Sequence, residues 1–138
     1  MNRILLIDPD RLTRQLLQRF LEKRGDEVVA SAGIPPCNGS APSLVLIFAG
    51  RSWQAGVALC AEIKRRPDLR SAPVVLAMDL VTPALVREAR LAGAAEVLSR
   101  LIRPDELLAV IRRQAERPAG GGISAIAEPP AVGLIEKP

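Results

Sequence analysis

Apolar residues gather in five short runs along this chain, and between the runs they recur at helical spacing. The most continuous run is Leu44-Val45-Leu46-Ile47-Phe48, bounded by Pro42-Ser43 and Ala49-Gly50. An unbroken run of this length, closed off by turn residues, suits a strand buried on both faces at the centre of a parallel sheet. Arg3-Ile4-Leu5-Leu6-Ile7 reads as a first strand, 27–31 as a weaker second, 72–78 as a fourth and 96–98 as a short fifth. Helical periodicity fills most of the gaps. Over 10–24 the residues Leu12, Leu16, Leu17, Phe20 and Leu21 form one apolar face, and Gly25 stops the helix. Further helices are expected over 53–66, 83–92 (capped by Thr82, with Pro83 in its first turn) and 104–117. One gap has no helix. Residues 32–43 hold a tandem Pro35-Pro36, Pro42, Gly33 and Gly39, and this content predicts a bare loop.

Strands alternating with helices predict an α/β fold: a doubly wound, five-stranded parallel sheet of flavodoxin-like order 2-1-3-4-5, with the second helix reduced to a loop. The expected domain covers 1–117. Residues 118–138, rich in Gly, Pro and Ala, read as a flexible tail or linker.

Composition narrows the function. The 138 residues suit one domain, and no apolar run approaches the roughly 20 residues that span a bilayer. The start lacks the apolar region and cleavage site of a signal peptide, so a cytoplasmic location is expected. The net charge of +4 comes from sixteen Arg and three Lys against fifteen acidic residues. Stacking aromatics are limited to Phe20, Phe48 and Trp53, which argues against nucleic acid as the partner. There is no His, and Cys37 and Cys60 fall in a loop and a helix, which argues against a structural metal. Cys60 reads as a core residue, and nothing near Cys37 marks it as reactive. Gly120–Gly122 has neither the preceding strand nor the following Lys-Ser/Thr of a phosphate loop.

In register along about 2–117, the chain resembles the receiver domain of bacterial two-component response regulators. The resemblance is carried by Ile4-Leu5-Leu6-Ile7-Asp8 with Arg14, Pro42-Ser43-Leu44-Val45-Leu46-Ile47, and Gly56. It continues through Leu59-Cys60, Ile63-Lys64, Ala72-Pro73-Val74-Val75, Gly93-Ala94-Ala95-Glu96 and Pro104-Asp105-Glu106-Leu107-Leu108. The resemblance implies an Asp closing strand three that accepts a phosphoryl group, and two acidic residues after strand one that hold Mg²⁺. It further implies a Thr or Ser closing strand four and a Lys closing strand five, which receive the phosphate. Here these positions are Phe48, Asp8 and Pro9, Met78 and Arg100. Leu101 stands where the resemblance implies a proline, and Val97 where it implies an aromatic switch residue. Only Asp8 survives.

The sequence thus points to a pseudo-receiver: not an enzyme, without cofactor or metal, acting by phosphorylation-independent protein contact. A partner or homodimer mate is expected through 82–117, and a second interface at the face the missing helix leaves bare, filled by a mate, a partner or the chain's own 123–135. Two other functions stay open: a phosphoacceptor with displaced chemistry at Asp8, Asp10 or Asp79, and a small anion or nucleotide binder at Arg100, whose fork suits phosphate. Asp8 is read as a relic ligand or, preferentially, a helix cap or the partner of Arg100; for Arg100 an internal ion pair with Asp8 or Asp79 is favoured over anion binding. Met78 is expected beside Phe48. Trp53 is either a partner anchor or folded over Phe48.

Overall fold

In the computed structural model, residues 2–36, 41–99 and 102–115 are described. Their elements run β1 (Arg3–Ile7), α1 (Arg11–Lys23), β2 (Glu27–Ser31), β3 (Leu44–Gly50), α2 (Trp53–Arg65), β4 (Val74–Met78), α3 (Pro83–Leu91), β5 (Ala94–Ser99) and α4 (Pro104–Ala115). All strand pairs are parallel and the order is β2-β1-β3-β4-β5, as the alternation of runs and helices predicts. The described residues of the second crossover, 32–36 and 41–43, contain no helix.

The unbroken apolar runs are explained by burial on two sides. In β3, Val45 and Ile47 face one layer together with Leu5, Ile7, Leu76 and Met78, against Cys60 and Ile63 of α2 and Ala89 of α3. Leu44, Leu46 and Phe48 face the other, with Ile4, Leu6 and Ala77, against Leu21 of α1 and Leu107, Val110 and Ile111 of α4. Successive strand residues point to opposite faces, so a strand between two helical layers needs apolar residues at every position.

Several boundaries move, most helix ends by a single residue. α1 begins one residue later than expected because Asp10 is its cap, accepting from the Thr13 N–H at 2.9 Å. β3 runs two residues past Phe48, and its register with β4 shifts between Phe48 and Gly50. β4 begins at Val74, and β5 begins two residues early, at Ala94. The face of α1 needs a larger correction. Leu12 and Leu16 are 65% and 59% exposed, and the helix buries Leu21 with Leu17 and Phe20 partly buried beside it. α1 lies over the edge of the sheet at β2, so the layer beneath it is narrow and only part of its apolar stripe finds cover.

Close packing fixes α2. A Cβ on Gly56 would lie 2.7 Å from the Ala49 Cβ and 2.9 Å from a Leu76 methyl, so only glycine lets the helix sit this near β3 and β4. Cys37, the expected boundary at 117 and the tail 118–138 lie outside the described residues.

Candidate functional site

The carboxyl ends of β1, β3 and β4 meet where open α/β sheets gather ligands. Ile7 pairs with Ile47 and Phe48 with Ala77, so Asp8 and Phe48 stand side by side at that edge. Phe48 is only 6% exposed and packs into the α1/α4 layer.

Asp8 is 2% exposed. Its N–H continues the sheet to the Ser31 carbonyl at 3.0 Å, and its carbonyl accepts from the Arg14 guanidinium at 2.7 Å. Its carboxylate accepts from the Asp10 N–H at 2.9 Å. Asp8 is therefore not the helix cap. It holds the turn that places Asp10, and Asp10 caps α1 while also accepting from the Thr13 hydroxyl. The pattern Asp10-x-x-Thr13 was the signal in the sequence for this division of labour.

Two expectations about neighbours change with the layers. Met78 closes β4 in the α2/α3 layer, opposite Phe48, because Phe48 pairs with Ala77 and shares its layer, so the next residue points to the other face; beyond that pair the register shifts and Met78 pairs with Gly50. Gly50 makes the shift possible: its φ of 66° lies in the left-handed region, which glycine reaches without strain. Trp53, the first residue of α2 after the Ser52 cap, is half-buried against the Met78 layer and does not fold over Phe48. Val97 is half-buried in that same layer, paired with Leu76 across β4 and β5. Arg100 and Leu101 lie outside the described residues. Asp79 is exposed, and its N–H bonds to the Gly50 carbonyl at 3.1 Å.

The resemblance implies Mg²⁺ here, and the donor set does not suit it. The ion wants near-octahedral oxygen coordination. Pro9 offers no carboxylate, Phe48 puts a ring at the edge where an oxygen would serve, and Asp10 is engaged in its cap. Among the described residues no three His, Cys, Asp or Glu side chains come together as a metal site.

Two arrangements away from this edge were not foreseen. Arg113 of α4 grips Glu96 of β5 through both carboxylate oxygens, at 2.7 and 3.0 Å, and Gln114 adds a bond at 2.7 Å. This pairing raises the Arg113 guanidinium above its ordinary value. Lys64 of α2 reaches the carbonyls of Arg70 and Ala72 at 3.0 and 2.9 Å, pinning the loop that enters β4; burial lowers its amine below the usual lysine range. The spacing of residues along the sequence carries no sign of either.

Solved structures show what this arrangement is similar to. The receiver domain of the Francisella response regulator 1452 superposes with a TM-score of 0.71 at 17% identity, over 85% of this chain and 98% of that one. The beryllofluoride-activated N-terminal receiver domain of Klebsiella pneumoniae RstA gives 0.63 at 21% identity, over 83% and 98%. A CheY-like receiver domain protein from Methanospirillum hungatei gives 0.64 at 20% identity, over 84% and 94%. No family model and no curated protein sequence matches the chain. The chain has the fold of response-regulator receiver domains. Among the described residues no helix is long and apolar enough to cross a membrane.

Proposed function

We propose that this chain is a pseudo-receiver: a receiver-fold domain of two-component-type signalling that works by protein–protein contact and accepts no phosphoryl group. One observation carries the reading. A phenylalanine, Phe48, is buried among apolar side chains near the carboxyl end of β3, and the resemblance implies the accepting carboxylate at that residue. Phenylalanine can neither attack a phosphoryl group nor hold a metal, and its burial favours the folded state by roughly 1.5–3 kcal/mol. The domain is accordingly a binding module rather than an enzyme, and a cytoplasmic location goes with that role. The contact surface in this reading is α3, β5 and α4, within 82–117, open to a second copy or a different protein. Leu91, 87% exposed at the end of α3, and the edge position of β5 support that choice. Nucleic acid is not part of the reading.

The test is phosphodonor chemistry. With Mg²⁺ and either acetyl phosphate or beryllofluoride, the protein should keep its mass, its amide spectrum and its oligomeric state. A stoichiometric acid-labile adduct would overturn the proposal, and mapping it to Asp8, Asp10 or Asp79 would establish a displaced phosphoacceptor instead.

A further inference from the structure

The described residues of the crossover from β2 to β3 leave the α2/α3 layer incomplete. Over β1 and β2 the described residues supply Ile34 in place of a helix, and Val29 remains 39% exposed. A cavity of about 170 Å³ opens there, with Leu5, Val29 and Leu69 among its apolar lining and Pro35, Pro36 and Pro42 beside them.

Its rim says what it would bind. Arg66 donates to both carboxylate oxygens of Asp68 at 2.8 Å and to the Pro35 carbonyl at 3.1 Å. Arg3 pairs with Glu27 at 3.2 Å. The charges close on one another, so attraction into the groove is apolar rather than ionic. The size argues against a second folded domain. A stable interface buries about 800 Å² on each partner, whereas this groove has room for only an aliphatic side chain or two.

We propose that the groove is closed by the chain's own residues 123–135, which carry Ile123, Ile126, Val132, Leu134 and Ile135. The geometry permits it. Arg113 and Gln114 bond Glu96 near the start of β5, so α4 ends at the amino-terminal edge of the sheet. The groove opens at that same edge, beside Arg3 and Glu27, the first residues of β1 and β2. From β5 to β2 is four strand spacings, about 19 Å. The eight residues from Ala115 to Ile123 can span about 26 Å, enough to cross that distance and change face. A tether of this length holds the segment at an effective concentration on the order of millimolar, so contact with a dissociation constant below about a millimolar, as two buried aliphatic side chains can supply, keeps the groove filled.

Methyl NMR and hydrogen exchange on the full chain test the proposal. The comparison is with a full-length variant carrying Ile126→Ser, Val132→Ser, Leu134→Ser and Ile135→Ser, which leaves the described core untouched. In the unmodified chain, methyls of Leu5, Val29 and Leu69 should show cross-peaks to tail methyls. In the variant those should vanish, and amides of β1 and β2 should exchange about tenfold faster, the loss expected from uncovering one aliphatic side chain. A second variant, Val29→Arg, should release the tail from the groove side and give the same loss of cross-peaks. Identical groove shifts and exchange rates in all three proteins would overturn the proposal. Groove shifts that move with protein concentration regardless of the tail would overturn it too, and would assign the face to a second copy.

Discussion

At Phe48 a single side chain decides between two kinds of chemistry. Its ring is enclosed by the α1/α4 layer, and a carboxylate in that place would be desolvated without a metal to balance it. Phe48→Asp should therefore destabilise the fold by about 2–4 kcal/mol, through lost apolar burial and a buried charge. It should also fail to restore phosphorylation, since Pro9 supplies no ligand. A urea midpoint for the variant equal to that of the parent would mean the ring is not buried. Leu12 and Leu16 make the opposite case. Their exposure predicts that Leu12→Ser with Leu16→Ser changes stability by less than about 1 kcal/mol. A large drop in thermal midpoint would show that they are covered in solution. These two leucines also mark a limit of reading from sequence. Periodicity identifies a helix and its apolar stripe, but not how much of the stripe has a neighbour beneath it.

At the scale of elements, helices and strands were legible because each carries its own signal: unbroken runs for strands buried twice, the cap at Thr82 with Pro83 behind it, and proline in the crossover whose described residues hold no helix, whereas the caps at Asp10 and Ser52 emerged only with the structure. The register shift after Phe48 was not legible. It depends on Gly50 and on how β3 meets β4, and one glycine in a loop-like stretch does not announce a bulge. Met78 and Trp53 lie in the layer opposite Phe48 for a different reason: Phe48 pairs with Ala77, and alternation turns the next residue, Met78, to the other face, where Trp53 also packs. The seating of α2 gives a further prediction. Gly56→Ala gains roughly 1 kcal/mol of helix propensity, but its methyl meets Ala49 and Leu76 well inside contact distance. Overpacking of this kind costs about 1–3 kcal/mol, so a net loss is expected, measurable as a lower urea midpoint. A raised midpoint would show that α2 can lift away from the sheet at little cost.

Across the whole molecule, the alkaline limb of stability should carry the mark of Cys60. Burial pushes its thiol up to about 11 from an ordinary 9.0, while Lys64 nearby acts in the other direction. Between those values the folded chain keeps a proton that the unfolded chain has lost. This contribution is therefore complete below about pH 9 and is lost as pH rises through 11. The lowered Lys64 amine works oppositely, since the unfolded chain binds more protons in its range. Comparing the parent with Cys60→Ala isolates the thiol together with its coupling to Lys64. The parent's advantage over the variant should shrink between about pH 9 and pH 11, as followed by urea denaturation. A constant difference would mean that the thiol is open to solvent.

The division of Phe48 and Met78 between two layers also bears on how such a domain could change over generations. Building a phosphoryl site here would require at least Pro9→Asp, Phe48→Asp and Met78→Thr, which lie on different segments and touch different parts of the core. No one of them supplies chemistry without the others. Phe48→Asp alone would consume a sizeable share of the 5–15 kcal/mol by which domains are ordinarily stable. The steps at the buried Phe48 and Met78 disturb the core before any chemistry is gained, so a route to a phosphoryl site passes through destabilised intermediates. On the function proposed above, the packing that fills this edge acts as a ratchet, because the buried ring must be given up before any phosphoryl chemistry can be gained.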